Sequence, residues 1–135
     1  MDNGSSDDSA IKASKLKEVT VHFLEENLGF AAANNRAIAL CDCDWVALLN
    51  PDALPDKDWL LNLIQASQEH PDISVFGSRQ MSLNSPNIID GTGDIYHCSG
   101  LIWRHGHGIP YNQEDNVEKL IFSPCACAGL YRLEV

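Results

Sequence analysis

An amide and a carboxylate at short range, placed where an apolar run stops, can hold a hard cation. Asn50-Pro51-Asp52 is such a cluster, closing the run Trp45-Val46-Ala47-Leu48-Leu49. One carboxylate with one amide suits a divalent ion that binds through one or two oxygen ligands plus substrate phosphates. A second polar cluster, Asp2-Asn3-Gly4-Ser5-Ser6, lies just ahead of a candidate helix. Asp2 can accept a hydrogen bond from a base imide, and the amides that follow face a helix N-terminus, where anions bind. Turns rich in Asp, Asn, Gly and Ser are common, so each cluster also reads as a plain turn.

Other chemistry-bearing residues carry weaker patterns. His97, Cys98, His105 and His107, with Cys125 and Cys127 similar in type, invite a zinc site. Their spacings match neither Cys-x-x-Cys nor His-x-x-x-His, which argues against it. Cys41 and Cys43 flank Asp42 just past a helix and read as packing residues. Glu25/Glu26, Asp42/Asp44 and Asp56/Asp58 read as solvated charges or caps, and Glu114 and Asp115 as weak base candidates in a late loop. Arg36 and Arg79 are the basic residues that could meet a diphosphate.

These residues need a scaffold, and the chain alternates strand and helix. Ser6 to Lys17 reads as a short helix, with Ser6 as N-cap and Asp7 and Asp8 at the positive end of the dipole. Val19 to Leu24 is β-branched and aromatic and reads as a strand. Phe30 to Cys41 is Ala-rich, with Phe30, Ala33, Ala37 and Leu40 along one helical stripe. Trp45 to Leu49 reads as a strand buried on both faces, halted by Pro51. Asp56 to Glu69 is a helix with a buried stripe of Trp59, Leu60, Leu63 and Ile64, stopped by Pro71. Ile73 to Gly77 and Lys119 to Phe122 read as strands, and residues 84–116 as irregular strands and loops. Such alternation predicts an α/β fold with a largely parallel sheet, whose ligands bind outside the carboxyl ends of the strands.

Composition narrows the class. The chain has 135 residues, the length of one domain. Nine Lys and Arg against nineteen Asp and Glu give a net charge of −10, which repels phosphate backbones and anionic membranes. Nucleic acid is therefore not an expected partner. No apolar run approaches the roughly 18–20 residues of a membrane helix. The five cysteines, in a sequence that opens on polar and acidic residues, read as reduced thiols of a cytoplasmic protein.

Four stretches, in order, resemble the family 2 glycosyltransferases. Asp2-Asn3-Gly4-Ser5-Ser6-Asp7-Asp8-Ser9 is similar to the family's Asp-Asn-x-Ser-x-Asp-x-Ser, and Asn27-Leu28-Gly29-Phe30-Ala31-Ala32-Ala33-Asn34-Asn35 to its Asn-x-Gly-Phe-Ala-x-x-x-Asn. Leu48-Leu49-Asn50-Pro51-Asp52-Ala53 is similar to its metal motif, in the form found among rhamnosyltransferase-like members. Ala128-Gly129-Leu130-Tyr131-Arg132 is similar to the stretch that closes the acceptor region, and the segment from Gly91 to Gly108 has the look of the same subgroup.

The resemblance implies a GT-A fold, a Rossmann-like α/β architecture with a mixed, mostly parallel sheet. It implies transfer of a sugar, rhamnose by subgroup, from a nucleotide-diphospho-sugar to a glycan or lipid-linked acceptor with inversion. Asp2, Asn3, Ser5, Asn27 and Gly29 would bind the nucleotide. Asp52, with Asn50 where many members have an acid, would hold Mg²⁺ or Mn²⁺. Trp103, His105 and His107 would lie in a loop over the acceptor or donor sugar, Trp103 stacking on a ring or packing in the core. Residues 1–83 would form the nucleotide and metal part and residues 84–135 the acceptor part.

The family's first apolar strand precedes its Asp-Asn motif, whereas Met1 directly precedes Asp2 here, and the family's catalytic base lies beyond Val135. The chain accordingly reads as a fragment truncated at both ends, expected to be inert and poorly stable alone, from a protein working in the cytoplasm at the inner face of the membrane. Two other classes stay in view. A nucleotidyltransferase would need a Gly-rich loop with a Lys after its first strand, which this sequence does not have. A non-catalytic nucleotide-binding or interaction module would bind nucleotide without metal, or not at all.

Overall fold

The computed structural model describes residues 1–133, in two compact units, Met1–Cys43 and Asp44–Val135.

The first unit carries helix α1 (Ser9–Ala13) and helix α2 (Phe30–Ile38). The helix expected over Ser6 to Lys17 is only a short one starting after Asp8, not Ser6. Its acidic start is used differently: Asp7 accepts from the Ser9 amide, and Asp8 pairs with Lys12 at 2.8 Å. The strand expected over Val19 to Leu24 reduces to one parallel bridge between Asp2 and Phe23, with Phe23 exposed. In α2 only Ala33 of the expected stripe is buried, and Phe30 and Leu40 lie exposed.

The second unit holds β1 (Trp45–Leu49), α3 (Trp59–Glu69), β2 (Val75–Gly77), β3 (Gln80–Met81), β4 (Ile89–Gly91), β5 (Asp94–Tyr96), β6 (Ile102–Arg104) and β7 (Ala128–Arg132). Helix α3 is built of Leu, Gln, Ala and Glu, good helix formers. It ends at His70, which leaves the α region (φ −123°, ψ 71°) ahead of Pro71, as the residue before a proline must. Leu63 and Ser67 are its buried positions; Leu60 and Ile64 are exposed, and Trp59 is half-buried, donating to Ser78 Oγ at 2.7 Å.

The sheet corrects the expectation of parallel pairing. Strand order is β1-β7-β2, and both β1 and β2 pair antiparallel with β7. β1 and β2 share a direction and are joined through α3, as in a crossover unit, but β7 lies between them. The sequence does not mark β7, because Ala128 and Gly129 are small and the nearby apolar run Leu120-Ile121-Phe122 carries the stronger β-propensity. That run forms no strand, and Leu120 is fully solvated. β1 is also not doubly buried: among the described residues it has one strand neighbour, and its positions are half-buried or exposed. The core sits on β7, where Ala128, Gly129 and Leu130 are buried. β3–β4 and β5–β6 are two-stranded hairpins, and Asp94 bridges Ser123.

Candidate functional site

In the first unit, two loops are tied together. The Asp2 amide donates to the His22 carbonyl at 2.7 Å and the Asp2 carbonyl accepts from Leu24 at 2.9 Å. The Asp2 carboxylate turns back on its own loop, accepting from the amide and the hydroxyl of Ser5. Asn3 Oδ1 accepts from the Leu28 amide at 2.9 Å, and its Nδ2 donates to Asn27 Oδ1 at 3.0 Å. Asn27 Oδ1 also accepts from the Gly29 amide, at 2.8 Å. Gly4 adopts φ +75°, and a Cβ there would lie 2.9 Å from the backbone of Glu26. Only glycine lets the two loops close this far.

Asn3→Ala removes both cross-loop bonds. It should weaken local closure by about 1 kcal/mol, and the Leu28 amide should exchange about fivefold faster by hydrogen-exchange mass spectrometry. Beside these loops runs an open groove lined by Phe23, Leu24, Glu25, Glu26, Leu28 and Arg36.

In the second unit, the Asn50 amide donates to the Cys127 carbonyl at 2.8 Å, extending the β1–β7 ladder by one bond. Its own carbonyl accepts from Ala53 at 3.1 Å, which curls the chain so that Asp52 stands exposed at the carboxyl end of β1. A solvated carboxylate beside a side-chain amide fits Mg²⁺ or Mn²⁺. Such ions keep several waters and accept one or two protein oxygens together with substrate phosphates.

Next to this turn lies a charged group that the motifs do not contain. Arg104 on β6 pairs with Asp90 on β4, and its Nη2 lies 3.6 Å from Cys125 Sγ. His107 Nδ1 lies 2.8 Å from the Asp90 carbonyl, and His105 Nδ1 lies 2.6 Å from Thr92 Oγ1. Trp103 is exposed, with its ring 6.3 Å from that of His97, so it is not a core residue. Cys41 and Cys43 are exposed rather than packed. Of the two arginines considered for a diphosphate, Arg79 donates to Asn116 and lies over Tyr111, and Arg36 lines the first unit's groove. No local pattern flags Asp90 and Arg104, which meet only because two hairpins bring them together across 14 positions.

Burial pushes the Cys127 thiol above its ordinary value. The neighbouring negative charges of Cys125, Asp52 and Asp90 push the same way, and Arg104 opposes them. A raised thiol favours the neutral form in the fold. That contribution is complete below the thiol's ordinary range and is lost as pH climbs through the raised value. Only the thiolate reacts, so at pH 8 iodoacetamide should label half-buried Cys127 more slowly than exposed Cys41 and Cys98, read by peptide mass spectrometry.

The model for Glycosyl transferase family 2 matches residues 1–134. The chain belongs to that family. Family 2 membership implies the GT-A fold, a nucleotide-sugar donor and a separate acceptor, and members often use divalent metals. No curated protein and no solved structure matches the chain. Within this family 2 chain, no described helix is long and apolar enough to cross a membrane. Elsewhere in the second unit, Glu69, His70 and Glu118, all exposed, bring one ligand atom each within 4.8 Å of one another.

Proposed function

We propose that this family 2 chain binds the donor and metal for an inverting sugar transfer. The donor is a nucleotide-diphospho-sugar, a deoxyhexose such as rhamnose by the form of the Asn-Pro-Asp motif, and the acceptor is a glycan or a lipid-linked sugar. The observation that carries the reading is Asp52, an exposed carboxylate in the turn at the carboxyl end of β1, within the stretch that resembles the family's metal motif. Asp2 reads the base, with Ser5 holding its carboxylate. Asn3, Asn27 and Gly29 shape the loop around the nucleotide. Asp52 holds the cation, and the Asn50 amide adds a weak oxygen beside it. When bound, the cation neutralises the charge that builds on the departing diphosphate. Trp103, His105 and His107 face the donor sugar or the acceptor; residues 1–83 carry the nucleotide and metal motifs, and residues 84–135 form the acceptor side, which also borders the donor. One general base must take the acceptor's proton. The setting is the cytoplasm.

Titrating dTDP and UDP with and without Mn²⁺ tests this reading. Binding that needs Mn²⁺ and disappears in Asp52→Ala supports it. Metal-independent binding, or none, favours a non-catalytic module.

A further inference from the structure

The proposed ligand is a diphosphate, yet the motifs assign no basic side chain to it. Asp44–Val135 contains three arginines. Arg79 is engaged by Asn116 and Tyr111, and Arg132 donates to the Pro71 carbonyl at 2.8 Å while lying over Trp45. Arg104 is placed differently. Its Nη1 donates to Asp90 Oδ2, and among the described residues its Nη2 meets a thiol, Cys125 Sγ at 3.6 Å. A guanidinium has five N–H donors, and sulfur is a weak acceptor, so the fork keeps donors for an anionic oxygen. Cys125 stands two residues before Cys127, whose carbonyl takes the Asn50 amide at 2.8 Å. Two residues of chain span roughly 7 Å at most. The guanidinium and the Asp52 turn therefore share one end of the β1–β7 ladder.

We infer that Arg104 is a ligand of the donor's diphosphate, held in place by Asp90 beside the Asp52 turn. The inference rests on the nucleotide-sugar reading above. A planar fork matches two phosphate oxygens at once, which an ammonium cannot do. Such a fixed cation would have a task here, because by the resemblance Asn50 stands where many members have an acid, and a single carboxylate would hold a metal weakly. The wall around Arg104 is built for it. Gly91 is buried, and a Cβ there would lie 2.3 Å from Arg104 Cδ, so the stem lies on bare backbone. Gln80, the ladder partner of Gly91, carries a buried side-chain nitrogen with no hydrogen-bond partner among the described residues.

The test is a titration of dTDP and UDP in Mn²⁺ against the protein and Arg104→Gln, Arg104→Lys and Gly91→Ala, with thermal melts to confirm folding. Arg104→Gln should weaken binding by at least about tenfold and flatten its salt dependence, which a purely structural role would not do. Arg104→Lys keeps the charge but loses the fork, so it should lose less. Gly91→Ala keeps the arginine but displaces it, and should also weaken binding. Wild-type affinity in Arg104→Gln overturns the inference, as does a defect confined to a lipid-diphosphate acceptor. If Arg104→Gln does not fold, wild-type affinity in both other variants overturns it. Asp52→Ala separates the two claims: Mn²⁺-dependent binding unaffected by that change defeats the nucleotide-sugar reading itself, whereas its loss beside a neutral Arg104→Gln defeats only this one.

Discussion

Asp52→Ala should reduce Mn²⁺-dependent nucleotide binding by about 100-fold, since losing a metal ligand should cost at least as much as losing a ligand's supporting partner, which is roughly 10–100-fold in metal affinity. The reason lies in the donor set. Asn50 and Asp52 offer one carboxylate between them, so no second protein charge takes over when it is removed. Asp52→Asn keeps the shape and should fail nearly as badly, which separates charge from packing. The exposed position of Asp52 means that neither change should lower the melting temperature by more than a degree or two. The reverse substitution, Asn50→Asp, adds a hard anionic ligand and should tighten Mn²⁺ about tenfold by calorimetry. Equal Mn²⁺ affinity in the wild type and Asp52→Ala would remove the ion from this turn.

Leu130→Ala should cost about 2–5 kcal/mol, the range for truncating a large buried aliphatic side chain. Leu130 is 2% exposed and sits opposite Ala47 of β1 and Phe76 of β2 at the same time. A cavity there touches both flanking strands. Few other large side chains are buried: Leu63 and Ile89 are, while Phe23, Phe30, Leu120 and Phe122 are exposed. With folding stabilities of about 5–15 kcal/mol for ordinary domains, one such loss is a large share of the total. Urea unfolding should show the midpoint fall sharply in Leu130→Ala, whereas Leu120→Ala, at 91% exposure, should leave it unchanged.

Local order was legible wherever one element decides its own form. β1 lies where its apolar run and Pro51 put it, and α3 ends against Pro71 as written. Asp52 at the end of β1 follows from that run alone. Pairing was not legible, because it is settled by residues far along the chain. The strand that completes the sheet is spelled Ala-Gly-Leu-Tyr-Arg, a stretch with little β-propensity at its start. Gly129 is there because a Cβ would meet the Phe76 carbonyl oxygen at 3.1 Å, a contact that only the assembled ladder reveals. The same holds for Asp90 and Arg104, ordinary surface charges until two hairpins stack them. The apolar stripes on α2 and α3 overstated burial, since periodicity marks a face but not what covers it.

A centre strand drawn from the far end of a chain governs when folding can happen. β1 leaves the ribosome about 80 positions before its partner β7 (Leu49 pairs with Ala128), so during synthesis an apolar strand waits with its ladder unmet. β2 waits on the same partner. The nascent chain must therefore be shielded from its neighbours until Arg132 has cleared the exit tunnel, and stalling the ribosome anywhere between Gly77 and Cys127 should leave a protease-sensitive intermediate.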